Sequence, residues 1–118
     1  MDSKNNKSVK ICLLYTIPEF FNNAMQIANS LSNYTFQSKI IASREKLLQD
    51  INDSLNQSFE DCKIFSLVVI AHGYDQVIQC GDENELVQIK EILDIFYKNQ
   101  ETLKDIPKYF FFNLNQKV

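Results

Sequence analysis

Two strand-length stretches of this chain are apolar almost without a break: residues 9–15, Val-Lys-Ile-Cys-Leu-Leu-Tyr, and residues 64–71, Ile-Phe-Ser-Leu-Val-Val-Ile-Ala. A strand with one wet face alternates polar and apolar side chains. Unbroken runs therefore predict strands covered on both faces, as in a parallel sheet enclosed by helices. The β-branched residues at the middle of the second run mark it as the central strand. Parallel neighbours need crossover connections, and helical stripes occupy the intervening segments. Pro18 opens the first predicted helix, in which Phe20, Ala24, Ile27 and Leu31 recur at spacings of four, three and four and Asn22, Asn23, Gln26 and Asn29 take the wet side. Residues 37–42 read as a short second strand, and Ser43 is placed to cap a helix carrying Leu47, Ile51 and Leu55, with Leu48 beside them. Beyond the central strand come a short strand at residues 77–79, a turn at Gly81-Asp82, and a helix over residues 87–97 with Ile89, Ile92, Leu93 and Phe96 on one side. After Pro107, residues 109–114 read as a fourth strand. Strands alternating with helices predict an α/β, three-layer α/β/α domain: a mainly parallel four-stranded sheet with helices on both faces.

Composition narrows what such a domain can do. With 118 residues and 45% apolar content, one core is available and a second independent domain does not fit. We expect a polar, mobile lead at residues 1–8 and a single domain from 9 to 118. The net charge of -3 offers no basic field for phosphate backbones, so no nucleic acid is expected as partner. No apolar run approaches the ~20 residues of a membrane span, and the polar N-terminus lacks the apolar stretch of a secretory signal. The expectation is a cytoplasmic protein with no membrane contact. Cys12, Cys62 and Cys80 are odd in number and form no Cys-x-x-Cys pair, which fits reduced thiols rather than a disulfide framework or a zinc site. The only glycines, Gly73 and Gly81, belong to no Gly-rich loop, so nucleotide cradles are excluded. No metal and no cofactor is expected. Asp75, Asp82, Glu83 and Glu85 make an acidic loop after His72, read as solvated.

In α/β sheets of this kind, ligands gather at the carboxyl ends of the strands, and His72 and residues 113–116 fall on that rim. The second half of the chain also carries an ordered set of landmarks. Asp61-Cys62 precedes an apolar strand that ends in Ala71-His72-Gly73. Val77-Ile78, Asp82 and the helix Val87-Gln88-Ile89-Lys90-Glu91-Ile92 through Phe96 follow, and then Leu103, Pro107-Lys108 and Tyr109-Phe110-Phe111-Phe112. In this order the segment resembles the large-subunit half of the caspases, the cysteine peptidases that cut after aspartate. The first half agrees in its strand-helix-strand-helix order and in few residues. The resemblance implies that His72 and Gly73 stand where the family has its His-Gly. It places Asn113 at the substrate-reading Gln, Leu114 at the Ala and Asn115 at the nucleophilic Cys.

A carboxamide is neither an ionisable thiol nor a usable nucleophile at neutral pH, so His72 has nothing to activate. The family reads its aspartate with arginines, yet the loop after the first strand is Thr16-Ile17-Pro18, and the single arginine, Arg44, lies elsewhere. Set against the family, the chain also lacks the small-subunit strands. The resemblance therefore implies a pseudoenzyme, a cysteine peptidase homologue that regulates apoptosis by protein–protein interaction. Without those strands the last strand becomes a sheet edge, with neither proline nor charge from Tyr109 through Phe110, Phe111, Phe112 and Asn113 to Leu114. We expect this edge to bind a caspase subunit or a second copy as a homodimer. The alternative is a residual or relocated cysteine hydrolase using Cys80 with His72.

Overall fold

The computed structural model describes residues 9–31, 33–56, 59, 61–80 and 85–116. The expected lead at residues 1–8, the Gly81-Asp82 turn and the acidic positions Asp82 and Glu83 lie outside them. The described residues form a mixed sheet of six strands with three helices: β1 (Val9–Thr16), α1 (Phe21–Ser30), β2 (Tyr34–Ile40), α2 (Arg44–Ser54), β3 (Cys62–Tyr74), β4 (Val77–Gln79), β5 (Leu86–Gln88), α3 (Ile89–Lys98) and β6 (Lys108–Asn115). Four strands, in the order β2-β1-β3-β6, run parallel. The sheet has six strands rather than four because β3 continues past His72 into an antiparallel excursion, pairing with β4, which pairs with β5.

The alternating side chains of β1 and β3 separate two cores. Leu13, Tyr15, Phe65, Leu67, Val69 and Ala71 face the larger one, where Leu47 and Ile51 of α2, Ile92 and Phe96 of α3, and Leu103 complete the packing. Leu14 and Ile70 face the other side, where Ala24 of α1 meets them and Ile27 and Ala28 pack around. The continuous apolar runs are thus buried on both faces. Aromatic side chains carry much of the larger core. Phe65 meets Phe59 and Phe96 with ring centroids 5.6 Å apart, and Phe96 meets Phe110 edge-on at 4.9 Å.

Helix starts follow local chemistry. Ser43 is extended and its Oγ accepts the Lys46 N–H at 3.1 Å, a cap whose removal costs about 1 kcal/mol. Several boundaries differ from expectation. Pro18 opens a single 3-10 turn (Pro18–Phe20) before α1 begins, and α1 ends at Ser30, so Leu31 is 43% exposed instead of completing the apolar stripe. β2 starts three residues and ends two residues earlier than expected, and its register on β1 pairs Tyr34 with Lys10 and Ile40 with Thr16. Residues 86–88 form β5 rather than the first turn of α3, and on the helix Ile92 and Phe96 are buried and Ile95 half-buried, whereas Leu93 is exposed.

The β3–β4 turn had no sequence signature. Tyr74 pairs with Val77, and the two residues between them, Asp75 and Gln76, have φ of 48° and 67°. This is the primed two-residue geometry that normally selects Asn-Gly or Asp-Gly. Here the Gln76 carbonyl accepts the Ile89 N–H at 2.9 Å, fastening the turn to the start of α3. Among the described residues, no helix is long and apolar enough to cross a membrane.

Candidate functional site

The parallel strands β1, β3 and β6 end on one rim. Ile17, after β1, stays extended, and Pro18 cannot donate to a ladder, so the chain leaves the sheet and turns. The turn sends Glu19 and Phe20 back over the strand ends. Glu19 Oε1 lies 2.9 Å from His72 Nε2, and the Phe20 ring meets the imidazole with centroids 5.1 Å apart. On its other side His72 Nδ1 lies 3.1 Å from the backbone carbonyl oxygen of Asn115. His72 and Asn115 are directly opposed across β3 and β6.

Both neighbours of the ring are acceptors. A neutral imidazole has one N–H and can donate to only one of them, while the protonated ring donates to both. Either way the ring nitrogens face a carboxylate and a carbonyl, not a nucleophile. The arrangement clasps the β1–α1 turn to the ends of β3 and β6. It leaves no free lone pair aimed at a substrate proton, as general-base work requires.

Beside the histidine an open cleft of about 360 Å³ runs between α1 and β6. Asn23, Gln26 and Ser30 line it from the helix, Asn113 and Asn115 from the strand, and Phe20, Ile27 and Ile70 supply its apolar surface. Among the described residues no charged side chain lines it. Such a surface offers amide donors and acceptors to neutral polar groups and lacks the charged fork that grips a carboxylate in two places. Arg44 is committed elsewhere: its Nη2 donates to Glu91 Oε1 at 2.7 Å, and its backbone N–H donates to Glu85 Oε1 at 2.7 Å. These contacts join the start of α2 to β5 and α3.

Gly73 has a packing reason to be glycine. An added Cβ would run into the Val77 carbonyl oxygen and come within 3.1 Å of Leu114 Cδ1, so the residue permits the close approach of β4 and β6 to β3. Cys80 is fully buried, and burial pushes its thiol up to about 11, with Glu85 adding to the effect. A relocated nucleophile needs the opposite shift. Cys12 is likewise pushed up to about 11 by burial, and Cys62 is raised. Among the described residues no group of three or more His, Cys, Asp or Glu is arranged to hold a metal ion.

The three phenylalanines of β6 divide by face. Phe110, Phe112 and Leu114 pack against the larger core, whereas Tyr109 is 60% and Phe111 55% exposed on the face that carries Asn113. The structure thus brings His72, Asn113 and Asn115 together at one rim and leaves Cys80 buried beyond it. Sequence reading missed Glu19. Its signal was an acid directly after a proline at a strand end, where the rim argument places ligand-facing groups. Asn23 and Gln26, read simply as the wet side of α1, are cleft wall. Neither protein-family models nor curated proteins give a match to this chain.

Proposed function

We propose that this chain is a catalytically inert caspase-like domain that acts by binding, modulating a caspase and through it apoptosis, with the edge of β6 as its docking surface. One pairing carries the reading. His72 and Asn115 sit directly across from each other at the ends of neighbouring parallel strands, the positions where the resemblance puts a base and its nucleophile. The second of those positions holds a carboxamide, and the histidine is engaged by Glu19 and by the Asn115 carbonyl. A domain with that geometry and no thiolate can occupy a partner without turning over a peptide.

The parallel order β2-β1-β3-β6 supports the same reading, since it sets the histidine strand beside the strand that resembles the family's nucleophile strand. The binding half of the proposal rests on β6. Among the described residues it pairs only with β3, and it exposes Tyr109 and Phe111. Unpaired backbone groups with apolar side chains and little charge invite strand addition.

The test mixes the purified protein with a processed caspase, measures mass by light scattering after size exclusion, and follows cleavage of an aspartyl peptide in parallel. A mixed complex at micromolar concentration, changed turnover, and no labelling of this chain by an aspartyl electrophile are expected. A chain that ignores the caspase, or that takes the label, overturns the reading.

A further inference from the structure

The cleft beside His72 is built from two elements that carry no charge where they line it. α2 and α3 hold charges along their length, Glu45, Lys46, Asp50 and Asp53 on one and Lys90, Glu91, Asp94 and Lys98 on the other. α1 holds none from Phe21 to Ser30, and β6 none from Tyr109 to Asn115. Because the other two helices of the same chain are charged, the all-carboxamide wet side of α1 is a local feature rather than a general bias of the sequence. Ile70 pairs with Asn113 and His72 with Asn115, so the outward residues of β6 rise on the side of the sheet where Ala24 and Ile27 of α1 pack around Ile70. Asn23, Gln26 and Ser30 form one wall of the cleft, roughly 10 Å long, and Asn113 and Asn115, roughly 7 Å apart along the strand, form the other.

We propose that this cleft binds a short neutral oligosaccharide. Ser30 Oγ donates to the Ile27 carbonyl at 2.8 Å and Asn115 meets His72 through its backbone, and among the described residues no hydrogen bond engages the side chains of Asn23, Gln26, Asn113 or Asn115. Each of these carboxamides offers two N–H donors and an acceptor oxygen. A sugar hydroxyl both donates and accepts, so a ring bearing hydroxyls around its rim can use both ends of the amides on both walls. Its C–H face is apolar and lies on Ile27 and Ile70, with Phe20 at the rim. Phe111, next after Asn113 on the same face of β6, is 55% exposed and offers an aromatic plane to a second ring.

Other ligand classes fit less of this surface. A phosphate or carboxylate finds no cation in the cleft, and Glu19 stands beside it. A purely apolar ligand would strip water from the four amides without replacing its hydrogen bonds. A nucleobase gathers its polar atoms on one edge and would serve one wall only. The volume of about 360 Å³ lies at the low end of small-molecule sites, which suits one or two sugar rings. The cleft is open, so affinity is in the millimolar range, about 0.1–10 mM. This site uses side chains on the face of β6, not the backbone edge, and is independent of the proposed caspase contact.

The test is a titration of the isotope-labelled protein with cellobiose, maltose and lactose, read on the side-chain amide signals in nitrogen–proton correlation spectra. At least one disaccharide should move the Asn23, Gln26, Asn113 and Asn115 signals together in a saturable way. Gln26→Ala and Asn113→Ala, both at exposed positions, should each weaken binding about fivefold or more with far-UV circular dichroism unchanged, and Tyr97→Ala, on α3, should leave it unaltered. Three results overturn the proposal: no disaccharide moving these signals, binding indifferent to both alanine variants at the cleft, or an uncharged acetylated tripeptide amide moving the signals where the sugars do not. A glucuronate-terminated disaccharide that binds more tightly than its neutral counterpart also overturns it. None of these results bears on the caspase test, which reads a mixed complex.

Discussion

Removing one charge at the start of α3 isolates how this fold ties its helices together. Glu91 Oε2 accepts the Gln88 N–H at 3.0 Å, as in the returning half of a capping box, while Oε1 takes the Arg44 guanidinium at 2.7 Å. Its carboxyl is held below the ordinary glutamate range by the Gln88 N–H first, with Arg44 adding to that and burial opposing it. Glu91→Gln keeps the shape and can still accept from Gln88, so the variant removes the charge alone. Two contributions go with it. The ion pair is 43% exposed at Arg44 and 34% at Glu91, so solvent screening limits it to a few tenths of a kcal/mol. A negative charge in the first helical turn contributes about 0.3–1 kcal/mol. Arg44 Nη1 is already buried and has no hydrogen-bond partner among the described residues, so the guanidinium is left with less compensation.

The sum is about 1 kcal/mol, or roughly 4 °C in Tm for a domain of this size. The folded carboxyl is lowered, so its stabilisation is complete above the unfolded glutamate range of ~4.3 and is lost as pH falls through the folded value. Urea titrations of both proteins at pH 7 and at a series of acid pH values should therefore show a gap at neutrality that closes on acidification. Equal stability at pH 7, or a gap of the same size down to pH 3, would refute the reasoning.

With thiols near 11, about one Cys80 or Cys12 in ten thousand is a thiolate at pH 7, so an aromatic disulfide reagent should react only as fast as the protein opens. A thiol that reacts rapidly in the native protein would contradict the burial argument. Gln76→Gly relieves a side chain from φ of 67° and restores the Asp-Gly turn, and thermal unfolding should show a gain of about 0.5–1 kcal/mol. Phe96→Ala empties a site shared with Phe65 and Phe110 and should cost about 3–5 kcal/mol, whereas Phe111→Ala, at 55% exposure, should change monomer stability by under about 0.5 kcal/mol in urea. Comparable losses in the two would mean that the faces of β6 are assigned wrongly.

The apolar runs at β1 and β3 determined by themselves that this chain builds strands buried on both faces. The stripes through Ala24, through Leu47 and Ile51, and through Ile92 and Phe96 determined which sides of the helices cover them. These are local signals, because hydrophobic periodicity reports the face a segment must bury whatever its neighbour. Ser43 as a cap was legible for the same reason, whereas Pro18, read as opening the helix, opens a 3-10 turn before it. The histidine at the end of the central strand, with Asn113 and Asn115 on the rim, also followed from position within a parallel sheet.

What pairs with what was decided only in three dimensions. That Glu19 closes on His72 depends on how far a 3-10 turn carries the chain back over β1, and a separation of 53 residues hides this from any local pattern. That Phe111 is exposed between two core-facing phenylalanines depends on the register of β6 on β3, which turns Phe110 and Phe112 toward the larger core. A Phe-Phe-Phe run has no polar residue to mark its wet face. The turn at Asp75-Gln76 went unread because its φ values are imposed by the β3–β4 pairing and by the bond from Ile89 to Gln76, where local preference favours glycine. Burial of Cys80 likewise belongs to the tertiary structure: Gln79 and Gly81 beside it carry no apolar pattern, and the thiol is buried as part of the larger core.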